Sequence, residues 1–174
     1  MNTTTKRSGL RTILLVALAV LLLLGGIGIT GVAAQSALPG DALYSVKTSI
    51  EQARFSLAKE ASERARLALD FAEERLEEIS ALIQEGRTNE IKDAVLAFEA
   101  SINRAIIELE TVAKGDPTLA AKLAQEITSA LTRYAQTLSL LAATAPDIIM
   151  EDVLRALDST NLASSIEVSS FDDN

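Results

Sequence analysis

Cysteine and histidine are both missing from the 174 residues of this chain. Their absence excludes disulfides, zinc sites of the usual ligand types, thiol nucleophiles and every histidine-based catalytic triad. It also excludes a lipid anchor on an N-terminal cysteine. Aromatic residues make up only 3% of the chain against a hydrophobic fraction of 48%, so alanine, leucine, isoleucine and valine must build the core. That balance favours helices packed through small and aliphatic side chains over a β-sandwich. Glycine is scarce as well, and four of the eight copies fall between Gly25 and Gly31. Acidic residues are lacking from the first 40 positions, and all 24 follow.

The charge is therefore uneven. Lys6, Arg7 and Arg11 precede an apolar run, and the rest of the chain carries 13 basic against 24 acidic residues, a balance of −11. Such a surface repels a polyanion, which excludes nucleic acid as a partner. It reads as the solvated acidic face of a helical domain.

The apolar run itself, "TILLVALAVLLLLGGIGITGVAA" at 12–34, contains no charge. At 1.5 Å per residue it spans roughly 34 Å, enough to cross a ~30 Å hydrocarbon core as a transmembrane helix. A secretory signal has a shorter apolar region of about 7 to 15 residues, so an uncleaved signal anchor is the expectation. The alternative is cleavage after Ala34, behind the small residues Val32 and Ala33, to give a secreted module. Either way the basic segment 1–11 stays cytoplasmic and the chain beyond Gln35 lies outside the cytoplasmic membrane.

Residues 35–40 form a turn linker. Pro39 and Gly40 suit the central positions of a type II turn, and Asp41 stands where a helix N-cap is needed. Leu43, Val46, Ile50, Ala53 and Leu57 then recur at spacings of three and four, a narrow apolar seam suited to self-association in a homodimer. Tyr44 and Lys47 are candidates for contact with the membrane interface, against the plainer reading of a seam-capping ring and a solvated ammonium.

The stretch "SALPGDALYSVKTSIEQARFSLA" resembles the opening of the bacterial family DUF5667. Members typically begin Leu-Pro-Gly-Asp, followed by a Leu-Tyr pair and Val-Lys, matched here by Leu38, Pro39, Gly40, Asp41, Leu43, Tyr44, Val46 and Lys47. Many relatives carry proline where this chain has Ala42 and Ser45. The resemblance implies a membrane-tethered helical domain and brings no activity with it. Some relatives resemble the outer part of membrane-bound anti-sigma regulators with a His/Cys zinc domain inside, a part with no counterpart in this sequence.

No glycine or proline occurs between Asp41 and Glu85, so one long helix is expected there, closed by Gly86. Thr88 can cap a second helix bearing Ile91, Val95, Phe98, Ile102, Ile106 and Leu109. Gly115, Asp116 and Pro117 form a stop, a cap and a first turn. A third helix carries Leu123, Ile127, Leu131, Tyr134 and Leu138, and Pro146-Asp147 starts a short fourth helix to about Leu157. The expected fold is all-α: the transmembrane helix, then an antiparallel bundle at 41–158 of three long helices plus one short helix, then a disordered acidic tail at 159–174. By length, the second and third helices should cover only the distal half of the first, which leaves Leu43 to Leu57 to pair with a second copy, to fold back through a bend near Ala61-Ser62, or to be covered by another protein.

"EERLEE" places Glu73, Glu74, Glu77 and Glu78 a turn apart. A tight Ca²⁺ site needs six to eight oxygens around one point, so these glutamates read as a solvated face with neighbouring-turn ion pairs. No nucleophile, oxyanion donor set or cleft-forming loop accompanies them, and no catalytic, cofactor or metal site is expected. Arg54, Arg64, Arg66, Arg75, Arg104 and Arg133 are expected in surface pairs. The expected partners are the lipid bilayer, a second copy of the chain and a basic envelope protein.

Overall fold

A computed structural model describes residues 34–172 of the chain. The apolar run, except Ala34, lies outside the described residues, as does the basic segment before it. Among the described residues no helix is long and apolar enough to cross a membrane.

Among the described residues five long helical segments follow one another: α1 (Tyr44–Leu57), α2 (Ala61–Glu85), α3 (Ile91–Gly115), α4 (Pro117–Thr144) and α5 (Asp147–Asp172), with a 3₁₀ turn at Thr88–Glu90. The chain divides into two compact units. Leu38–Gly40 and Ser49–Asn174 form the helical bundle; the described part of the other unit comprises residues 34–37 and 41–48. In that smaller unit the Ala34 carbonyl accepts from the Ala37 amide at 3.0 Å and the Asp41 carbonyl from the Tyr44 amide at 3.1 Å. Lys47 then donates to the Leu43 carbonyl at 3.1 Å, the first i→i−4 bond of α1. Leu43 thus stands where the helix begins, two residues after Asp41.

Inside the bundle, α3 touches α2, α4 and α5, and α4 touches α2 and α5. Short connections force neighbours to run antiparallel. Gly86 ends α2 with φ +70°, its amide donating to the Ile83 carbonyl while Arg87 donates to that of Leu82 at 2.9 Å. Asp116 caps α4 through its side chain, which accepts from the Leu119 amide at 2.9 Å, and Pro117 occupies the first helical position. The core joins Ile79, Leu82, Phe98, Leu123, Leu131 and Val153 with alanines at close-approach positions, among them Ala65, Ala94, Ala105 and Ala130. Phe98 and Tyr134 meet edge to face at 5.8 Å between ring centres. The Tyr134 hydroxyl donates to the Leu69 carbonyl at 2.9 Å.

Three expectations need correcting. The helix expected from Asp41 to Glu85 is broken at Ala58-Lys59-Glu60, where Glu60 is extended at φ −87°, ψ 137°. Of the part before the break, residues 49–57 belong to the bundle, where Glu51 meets Arg75; this is the fold-back weighed for the segment, with its bend just before Ala61-Ser62. The fourth long element, α5, does not stop near Leu157 and the tail from Ser159 is no coil: the helix continues to Asp172. Thr160 and Ala163 are buried there, and Ser159 donates to a Glu99 carboxylate oxygen at 2.9 Å. The bundle therefore has four long helices with a shorter one folded back, in place of three long and one short.

Candidate functional site

The fold-back brings α1 against α2 through charged side chains. Arg75 is only 2% exposed, and its Nη1 donates to both carboxylate oxygens of Glu78 at 2.7 and 2.9 Å. Its Nη2 donates to Glu51 of α1. Arg75 and Glu78 were expected on a solvated face; they are buried because α1 covers them. Glu73 and Glu77 do lie on the exposed side of α2. Two cation–π contacts flank this cluster: Arg54 lies 5.8 Å from the Phe71 ring centre and Arg104 lies 4.7 Å from that of Phe55. Burying two carboxylates with one guanidinium is tolerable only because the charges are hydrogen-bonded to each other.

A second polar fastening sits at the linker. Leu38 joins the hydrophobic core, and the Pro39 carbonyl accepts from Arg87 Nη2 at 2.5 Å. Gly40 adopts φ +90°, and a β-carbon there would come within 3.0 Å of Arg87 Nη2 and 3.3 Å of Glu90. Glycine is needed on both counts. Pro39 and Gly40 lie in a turn, and the Pro39 carbonyl seats it on Arg87 at the start of the α2–α3 connection.

The third fastening is at the break. Arg64 Nη1 donates to the Ala58 and Lys59 carbonyls at 3.4 and 2.9 Å, supplying donors that the end of α1 lacks. Its Nη2 pairs with Glu108 of α3 at 2.7 Å. Glu51, Arg87 and Glu108 escape sequence reasoning because their partners Arg75, Pro39 and Arg64 lie far along the chain, 24 residues for Glu51 and 48 for Arg87. The one local hint is a basic residue directly after the Gly86 cap.

Of the remaining candidates, Lys47 is 7% exposed, where both readings of the sequence put its ammonium in solvent or at lipid. Tyr44 and Leu43 are half-buried. Val46 and Ile50 are each 37% exposed, Leu57 is 78% exposed and Ala53 is exposed. The seam residues of α1 thus lie to one side, while Glu51 and Phe55 face α2 and α3.

A groove of about 440 Å³ runs between α2 and α4, with Glu73, Glu77 and Gln84 on one wall and Arg133, Tyr134 and Thr137 on the other. Desolvation raises the Asp70 carboxyl above its ordinary range; Arg54 opposes this, and Glu73 and Glu74 add to it. Burial likewise pushes the Tyr134 phenol far above its usual value, with Glu73 contributing. The groove offers carboxylates and one guanidinium. Among the described residues no group of His, Cys, Asp or Glu is arranged to hold a metal ion.

Residues 36–160 match the family described as a domain of unknown function, DUF5667. The chain belongs to this family. The match opens at Ser36, two residues before the Leu38-Pro39-Gly40 fastening, and runs to Thr160 in α5. It therefore takes in α1 to α4 whole and the first part of α5. No curated protein and no solved structure matches the chain.

Proposed function

We propose that this DUF5667 protein is a single-pass, membrane-anchored domain displayed outside the cytoplasmic membrane, acting through protein–protein contact in envelope sensing or regulation. What chiefly supports the reading is the uncharged run 12–34 behind Lys6, Arg7 and Arg11, ending two residues before the family domain starts. A 23-residue apolar run with basic flanks suits a span with its N-terminus inside. The exposed Val46, Ile50 and Leu57 favour a second copy as one partner. The acidic balance of the outer part favours a basic protein as another.

Membrane fractionation tests the reading. Full-length protein should stay with the membrane after alkaline carbonate washing, and a cysteine at Ile50→Cys should cross-link two copies in native membranes. A soluble product starting at Gln35 would replace this reading with a secreted ligand-binding module. The groove between α2 and α4 favours that second reading, since it is large enough for a small ligand.

A further inference from the structure

The break between α1 and α2 contains no residue that breaks helices. Alanine, lysine and glutamate, the residues at 58–60, are all strong helix formers, and no glycine or proline lies between Gly40 and Gly86. Local preference therefore runs toward one helix from Tyr44 to Glu85. The fold-back is held from outside by polar contacts, among them Arg87 on Pro39, Arg75 on Glu51, and Arg64 on the Ala58 and Lys59 carbonyls, with Arg54 against Phe71 and Arg104 against Phe55 beside them.

The first three are side-chain hydrogen bonds from arginine. Among the described residues the contiguous core takes no side chain from α1; Phe55 only packs against its edge. The most apolar side chains of α1 point elsewhere and remain exposed. A segment whose local preference contradicts its tertiary placement, and which is held by polar contacts, is built to move.

We propose that α1 is a releasable strap, buckled by Leu38-Pro39-Gly40 on Arg87, that on release joins α2 in one continuous helix from Tyr44 to Glu85. A 14-residue helix is marginal by itself, but extending α2 needs only propagation and no new nucleus. Release uncovers the Arg75–Glu78 pair and Phe71 on α2. The strap is a property of the DUF5667 domain and holds whether or not residues 12–34 sit in a membrane.

Ser49 and Glu77 are exposed and suit paired cysteine spin labels in a chain with no cysteine of its own. With Glu51 on Arg75, labels at these sites lie within about two helix diameters, roughly 20 Å. In a continuous helix they stand about 42 Å apart at 1.5 Å per residue. The unaltered strap should give the short distance. Arg87→Ala, or Gly40→Ala with its strained φ and crowded β-carbon, should add a population near the long one.

Ala61→Pro is the control. Ala61 is the first residue of α2 and follows an extended Glu60, so proline fits the broken form. In a continuous helix the same proline is disfavoured by about a hundredfold. Added to Arg87→Ala, it should reduce the long population by about that factor. The proposal is overturned if both buckle variants keep only the short distance, or if Ala61→Pro leaves the long population unchanged. Loss of the cooperative melting transition in both buckle variants would also overturn it, because a releasable strap cannot be required for the core to fold.

Discussion

Arg75 carries a disproportionate share of the contact between α1 and α2. Its guanidinium is buried with two carboxylates around it, so removing it takes a hydrogen-bonded counter-charge from both Glu78 and Glu51. Arg75→Ala should destabilise the domain by about 3–5 kcal/mol in urea unfolding. Adding Glu78→Ala should recover part of that loss, since the buried carboxylate is the main cost. A loss below about 1 kcal/mol would mean that the pair is solvated. Contrast Arg66 and Glu126, which make two hydrogen bonds at 2.8 and 3.0 Å but are each 46% exposed. Arg66 holds the Glu126 carboxyl below its ordinary range, yet solvent leaves the pair worth about 1 kcal/mol at most. That contribution is present above the unfolded carboxyl value and is lost as the pH falls through the lowered one. Residue type and spacing do not distinguish these two arginines. Their packing does.

At the scale of elements, most of the bundle was legible. The apolar positions at Ile91, Val95, Phe98, Leu123, Ile127 and Leu138 are buried as their periodicity requires. Gly86 and Asp116 cap where their chemistry allows. The misses have one physical cause. Helix propensity says whether a segment can be helical, not whether tertiary contacts will break or extend it. Ala58–Glu60 breaks despite good propensity because Arg64, Arg75 and Arg87 hold the ends. Residues 159–172 form helix despite a polar composition, and in the first part of that stretch Thr160 and Ala163 are buried against the bundle. Truncation after Asp158 removes buried Thr160 and Ala163 and the Ser159–Glu99 hydrogen bond. It should cost about 1–2 kcal/mol, read as a lower urea midpoint at an unchanged slope. A purely solvated tail would leave the midpoint where it was.

For the whole molecule, charge is the dominant global property. A balance of −11 beyond the apolar run means that the folded domain works against its own field. Raising sodium chloride from about 20 to about 300 mM should raise the melting temperature, because the Debye length falls below the distances between like charges on different helices. The buried Arg75 cluster is shielded from that screening. A melting temperature that falls with salt would show that attractive surface pairs outweigh the repulsion.

The sequence by itself determined that this is an all-helical domain without thiol or imidazole chemistry, and where most helices begin and end. Those properties follow from composition and from contacts within a few residues. It also carried the family's Leu-Pro-Gly opening, legible because the motif is contiguous. Only the tertiary structure decided that α1 doubles back, that α5 is long, and that Arg75 and Glu78 are buried. Each of those depends on partners far away in the chain, whose meeting is set by how the helices pack and not by any local preference.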